Sequence, residues 1–115
     1  VKGAHNLFCG GEKSGLFVGH TEAITTGSLA GHNAVRLIKG MPLLELPHGL
    51  ATGDLIAFAN RQMKSEEGLK TRYTFAGAEY FERMKEKGLY TTDPEEIKRR
   101  VRRYGLEGIY SERLL

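Results

Sequence analysis

The order of apolar and polar positions marks out one short apolar run and four amphipathic stretches. Residues 5–9 (HNLFC) read as a short buried strand, stopped by Gly10 and Gly11. Residues 12–19 hold Gly15 and Gly19 and read as a loop, with Cys9 before it as a small buried hydrophobe. Thr21 offers an N-cap hydroxyl, and a helix follows over residues 23–39. Gly40 suits the left-handed residue after that helix, and Pro42 prevents its continuation. The segment PLLELP, residues 42–47, is extended and pinned by its prolines. A second helix starts near Thr52 with Leu55, Ile56, Ala59 and Met63 as its apolar stripe. Residues 64–71 are polar, contain Gly68, and read as a loop. A third helix covers residues 76–87, with Tyr80, Phe81 and Met84 inward, Glu79 one turn from Arg83, and Gly88 at its end. Asp93-Pro94-Glu95-Glu96 carries a cap, a first-turn proline and a capping-box glutamate. The fourth helix runs to about Tyr104, sets Ile97, Val101 and Tyr104 on one face, and closes at Gly105.

Two features of this pattern have consequences. A lone buried strand leaves its backbone donors and acceptors unmatched, so residues 5–9 call for strands from elsewhere. The front third therefore reads as the last strand and helix of a larger sheet domain. The helix over 23–39 repeats Ala23, Gly27, Ala30, Gly31 and Ala34 at spacings of three and four. Each internal glycine costs about 1 kcal/mol relative to alanine. Such a face predicts a close approach, by a sheet or a ligand.

Composition changes this picture little. At 40% hydrophobic and 27% charged, the chain is an ordinary globular one and not a disordered one. Ten of the 15 glycines precede residue 54, so the front is glycine-rich, apolar and small and the back charged and helix-prone. The first residue is Val1, which fits processing or an excised piece. No apolar run reaches the roughly 18–20 residues of a membrane span, no leader pattern opens the chain, and the single cysteine allows no internal disulfide. A cytoplasmic protein with no membrane partner is the expectation. The formal net charge of +3 is too small to imply nucleic acid. The local cluster Lys98, Arg99, Arg100, Arg102, Arg103 could meet phosphates.

The chemistry-bearing feature is the glycine-rich link between strand and helix. It brings backbone close to a ligand and aims free N–H groups and a positive helix end at negative charge. A phosphate or the anionic N1/O2 edge of a flavin suits it. The spacing Gly11, Gly15, Gly19 is not the G-x-G-x-x-G fingerprint. His5, His20, His32 and His48 are scattered and propose no metal site.

Asn6-Leu7-Phe8-Cys9-Gly10-Gly11-Glu12, Gly15, Glu22-Ala23 and Gly27-Ser28-Leu29-Ala30-Gly31-His32-Asn33-Ala34 resemble the GidA/TrmFO family. These are FAD-dependent proteins that modify uridines in tRNA. Leu46-Pro47-His48 to Gly53-Asp54-Leu55 resembles the segment that follows, so the likeness reaches about residue 59. It implies a fold that is mainly α with one or two short strands. Residues 1–48 would be the C-terminal strand-turn-helix portion of an FAD/NAD(P)-binding Rossmann-like domain, and 49–115 a small helical region. It also implies FAD as cofactor, with Gly11 and Glu12 by the ribityl chain and pyrophosphate, Gly19, His20, Thr21 and Glu22 by the isoalloxazine ring, and Gly15 as a further cofactor-binding position of the pattern. Glu12 stands where the tRNA-modifying members usually carry glutamine. The loop between Gly15 and Gly27 is one residue longer, and Leu16 to His20 replaces the family's loop element. These departures point to a related but distinct branch.

Arg72-Tyr73-Thr74-Phe75 and Ala78-Glu79-Tyr80 are similar to a segment that precedes tRNA-contacting helices in the same proteins, although Gly77 replaces an arginine. The implied activity is oxidoreduction, including folate- and FAD-dependent uridine modification. The piece is not expected to be active alone, because no strand-turn-helix for the ADP half is present and no catalytic residue is assigned. Expected partners are the rest of the FAD-binding domain and tRNA, with a homo-oligomer left open. The alternative is a helical RNA- or protein-binding module that uses residues 94–104 through Arg99, Arg100, Arg102 and Arg103.

Overall fold

The computed structural model describes residues 3–114; Val1 and Lys2, and the reading placed on Val1, lie outside the described residues, as does Leu115. A 3-10 turn at Gly11–Ser14 leads to five helices: α1 His20–Ile38, α2 Ala51–Gln62, α3 Glu66–Lys70, α4 Ala78–Glu86 and α5 Pro94–Arg103. They form a slab of 39 × 39 × 21 Å. The mainly helical expectation holds.

The strand expected over residues 5–9 does not form among the described residues. Those residues lie beside no partner strand, so there is no ladder to fix them and nothing to turn their side chains inward. Leu7 is exposed, and so is Cys9, which corrects its reading as a buried hydrophobe. The β-pairing found instead is one parallel bridge between Phe17 and Tyr73. Tyr73 N–H donates to Leu16 O at 2.8 Å and Val18 N–H to Tyr73 O at 3.2 Å.

That bridge threads the core. Leu16, Phe17, Leu55, Phe58, Ala59, Tyr73, Tyr80 and Met84 are buried together. Phe58 meets Tyr73 edge-on with ring centroids 5.4 Å apart. The apolar stripe of α2 includes Phe58, which the sequence pattern had passed over, and excludes Met63, which is exposed.

Among these apolar side chains sits a polar knot. Asp54 is 1% exposed. Arg83 grips it with both prongs, Nε to Oδ2 at 2.9 Å and Nη2 to Oδ1 at 3.0 Å. The Tyr80 hydroxyl donates to Oδ2 at 2.9 Å. Arg83 therefore does not pair with Glu79 one turn away: a desolvated, bidentate carboxylate outcompetes an exposed one. Burial pushes the Asp54 carboxyl up, but the bonds from Arg83 and Tyr80 and the Arg83 charge outweigh it, and the net direction is down. Burial, then the bond to Asp54, drives the Tyr80 hydroxyl far up.

Other expectations shift by a turn. Thr21 is not the N-cap of α1; the helix begins at His20, and Gly19 caps it with no side-chain bond. Residues 64–71 are not all loop. Ser65 accepts from Gly68 N–H at 3.0 Å and starts α3. Gly68 fits inside that helix because a Cβ there would collide with the Gln62 carbonyl. Asp93 caps α5 through Glu95 N–H at 3.0 Å, and Pro94 opens it. Glu96 turns toward Arg99 and Arg100 instead of closing a capping box. Ile97 and Tyr104 stay exposed, and α5 buries no residue fully.

The small-residue face of α1 also differs from expectation. A Cβ at Gly27 or Gly31 would meet nothing within 4 Å. The close approach belongs to Gly10, whose added Cβ would lie 2.8 Å from Gly27 Cα. Replacing Gly27 by alanine should therefore stabilise the fold by up to about 1 kcal/mol. Gly10→Ala should destabilise it by about 1–3 kcal/mol, because backbone must move. Paired urea melts read both, and equal effects would refute this packing.

Asp54→Asn should cost about 3 kcal/mol, since it leaves Arg83 without its charge partner. The folded carboxyl titrates below its unfolded value near ~4, so its stabilisation is present above that pH. It is lost as pH falls through the lower folded value. Acid titration of wild type and D54N by circular dichroism checks this: the variant should lose less stability between neutral pH and pH ~3.

A candidate cofactor-facing turn

The buried face of α1 is polar. Glu22, Thr26 and Asn33 are its buried residues, spaced four and seven apart along one face. Each is matched to backbone. Glu22, 4% exposed, accepts from Phe75 N–H through Oε1 at 2.6 Å. The Thr26 hydroxyl donates to Glu22 O at 2.6 Å and accepts from Gly11 N–H at 2.7 Å. The Asn33 carboxamide donates to Leu44 O at 2.9 Å and accepts from Leu44 N–H at 2.6 Å. This face holds the glycine turn, the proline-flanked segment and the 73–75 link to one helix.

The turn follows from this. Ser14 Oγ donates to Gly11 O at 2.6 Å and accepts from Leu16 N–H at 3.2 Å. Gly11, Gly15 and Gly19 all have positive φ, at 60°, 76° and 116°, a region that favours glycine. A Cβ at Gly19 would also strike the Glu22 carboxylate.

The seven residues predicted from the turn divide into two groups. Gly11 and Glu22 point inward and are spent on the fold. Glu12, Gly19, His20 and Thr21 are exposed and Gly15 is half-buried. The exposed group sits at the amino end of α1, which no side chain caps, so the first-turn N–H groups and their positive end face solvent. The Glu22 carboxylate offsets part of that field from the inner side.

A flavin is the group that the resemblance implies for this turn. The uncapped helix end suits the anionic N1/O2 edge, and Glu12 can accept a ribityl hydroxyl. The positive φ at Gly15 and Gly19 lets backbone reach a flat ring. These residues fit one edge of FAD. They do not enclose it: none of the seven lines any of the three main cavities. Thr26 and Asn33 were missed by the sequence reading. The signal was the polar spacing on a helix whose glycines drew attention to the opposite face.

The basic helix is largely spoken for. Lys98 pairs with Glu95 at 3.3 Å, Arg99 and Arg100 share Glu96, and Arg102 pairs with Glu107 at 2.9 Å. Arg103 has no ion pair among the described residues. No group of three His, Cys, Asp or Glu could hold a metal ion among the described residues. Among the described residues no helix is long and apolar enough to cross a membrane.

A family model described as glucose inhibited division protein A, GIDA, matches residues 1–42. Residues 1–42 are similar to that family. The GidA-related part thus ends just after α1 and includes the whole glycine turn, whereas the likeness drawn from the residues ran to about 59. The family is one of flavoproteins. No solved structure matches the chain. The first turn of α1 is tied to the 73–75 link by the Glu22 carboxylate. Glu22→Ala should cost about 1–3 kcal/mol by leaving Phe75 N–H unmatched, and Glu22→Gln, which keeps an acceptor, should cost less. Thermal melts separate the two, and an E22Q loss as large as that of E22A would contradict the contact.

Proposed function

We propose that this chain is the flavin-facing lobe of a GidA-related flavoprotein oxidoreductase. Residues 1–48 form the C-terminal part of a Rossmann-like FAD-binding domain, and residues 49–115 brace it. The observation that carries this reading is the uncapped, solvent-facing start of α1 at Gly19–Thr21, inside the segment that matches the family model. Backbone N–H groups there hold the flavin's electron-rich edge. Glu12 reaches the ribityl hydroxyls, and Gly15 keeps the turn low enough for approach.

FAD, when bound, supplies the redox chemistry. This chain positions the ring and biases its charge. The family likeness supports a cytoplasmic protein whose substrate is a tRNA uridine and whose partner is the remaining part of the FAD-binding domain. The alternative RNA- or protein-binding role of α5 has weaker support, because most of its cations are paired to glutamates within three to five residues.

Flavin fluorescence titration tests the proposal. The chain alone should bind FAD weakly, because it offers one edge and no enclosure. Glu12→Gln should tighten FAD by about threefold, by removing one negative charge near the pyrophosphate. It should not tighten riboflavin, which keeps the ribityl hydroxyls but has no pyrophosphate. Tight binding by the chain alone would sink the half-site idea. No response of FAD to E12Q would move the pyrophosphate away from the turn.

A further inference from the structure

A large concavity lies away from the glycine turn. It is a groove of about 690 Å³ lined by Ile24 and Ser28 of α1, Leu50, Ile97 and Val101 of α5, and Ile109. Small-molecule sites span roughly 300–1,000 Å³ and are mostly apolar with a few placed polar groups. This groove has that character. Ile24 is 68% exposed and Ile97 47% exposed, so two β-branched side chains on separate helices present apolar surface to it.

One charged residue, Arg100, is among those lining the groove. Its guanidinium has five N–H donors. Three are engaged, Nε with Glu96 at 3.1 Å, Nη1 with Leu89 O at 2.7 Å and Nη2 with Gly88 O at 3.1 Å, so two remain among the described residues. Glu96 is shared with Arg99, so two cations face one carboxylate and the cluster keeps an excess of positive charge. The bonds to the two carbonyls fix the guanidinium against the Gly88–Leu89 turn rather than letting it wave in solvent.

We propose that the groove binds a long-chain carboxylate, with the alkyl chain along its aliphatic wall and the carboxylate on the spare N–H groups of Arg100. A flexible chain suits a lining dominated by branched aliphatic side chains. The lone fixed cation selects an anionic head group. Thr21 shares the α1 face of Ile24, Thr25 and Ser28 and stands one turn ahead of them. Thr21 itself does not line the groove, which stands apart from the glycine turn.

Calorimetric titration of the intact chain with dodecanoate, below its micelle concentration, is the test. Dodecyltrimethylammonium, with the same tail and the opposite charge, is the comparison. One dodecanoate per chain is expected, at least tenfold tighter than the cation. Ile24→Glu, at an exposed position, should weaken dodecanoate at least tenfold with an unchanged circular dichroism spectrum. Arg100→Gln should abolish the preference for the anion, and Arg100→Lys should keep it. No saturable binding, equal affinity for both head groups, or indifference to I24E would overturn the proposal. So would a concentration-dependent dimer that I24E abolishes in the absence of any dodecanoate binding, because the groove would then be a contact between two copies.

Discussion

Three side chains on one helix face are matched to backbone on three separate segments, and the rest of the molecule is arranged around that. Glu22 takes Phe75 N–H, Thr26 takes Gly11 N–H, and Asn33 takes both peptide groups of Leu44. Buried polar groups are costly when left unmatched, so each contact fixes its segment firmly. The slab is thin and its apolar core small, and long sheet ladders are lacking among the described residues. Directed bonds from α1 do the joining that a sheet would do elsewhere.

Much of the helical framework was legible. Gly40, Gly88 and Gly105 close their helices with positive φ near 68°, as their places after apolar stripes indicated. Asp93 and Pro94 start α5 because cap and proline act locally, whatever surrounds them. The failures share a cause: they depend on partners distant in sequence. The strand at residues 5–9 needs neighbours that the sequence cannot display. Arg83 prefers Asp54, 29 residues away, over Glu79, because burial strengthens the distant pair. The glycine face of α1 drew attention to Gly27, yet the tight spot is at Gly10.

The candidate site was legible in position but not in division of labour. Gly11 and Glu22 were grouped with the surface residues of the turn because the family likeness treats them as one motif. Folding separates them. The inward pair is bonded to Thr26 and to Phe75 N–H, while Glu12 and Gly19 to Thr21 are exposed. Glu22 is thus spent on fixing the first turn of α1 against the 73–75 link. Electrostatics agree with that split, since a carboxylate beneath the first turn of α1 tempers the field that an anion would feel above it.

The clamp of Asn33 on Leu44 has a consequence for association. A carboxamide carries the same donor and acceptor pair as a peptide group, so it serves the extended segment as a partner strand one residue long. Pro42 and Pro47 remove two further N–H groups from the same stretch. Extended apolar backbone is ordinarily an invitation to strand addition and aggregation. Here the stretch is left with too few consecutive donors to template a neighbouring chain, so a leucine-rich ribbon stays in the open without becoming adhesive.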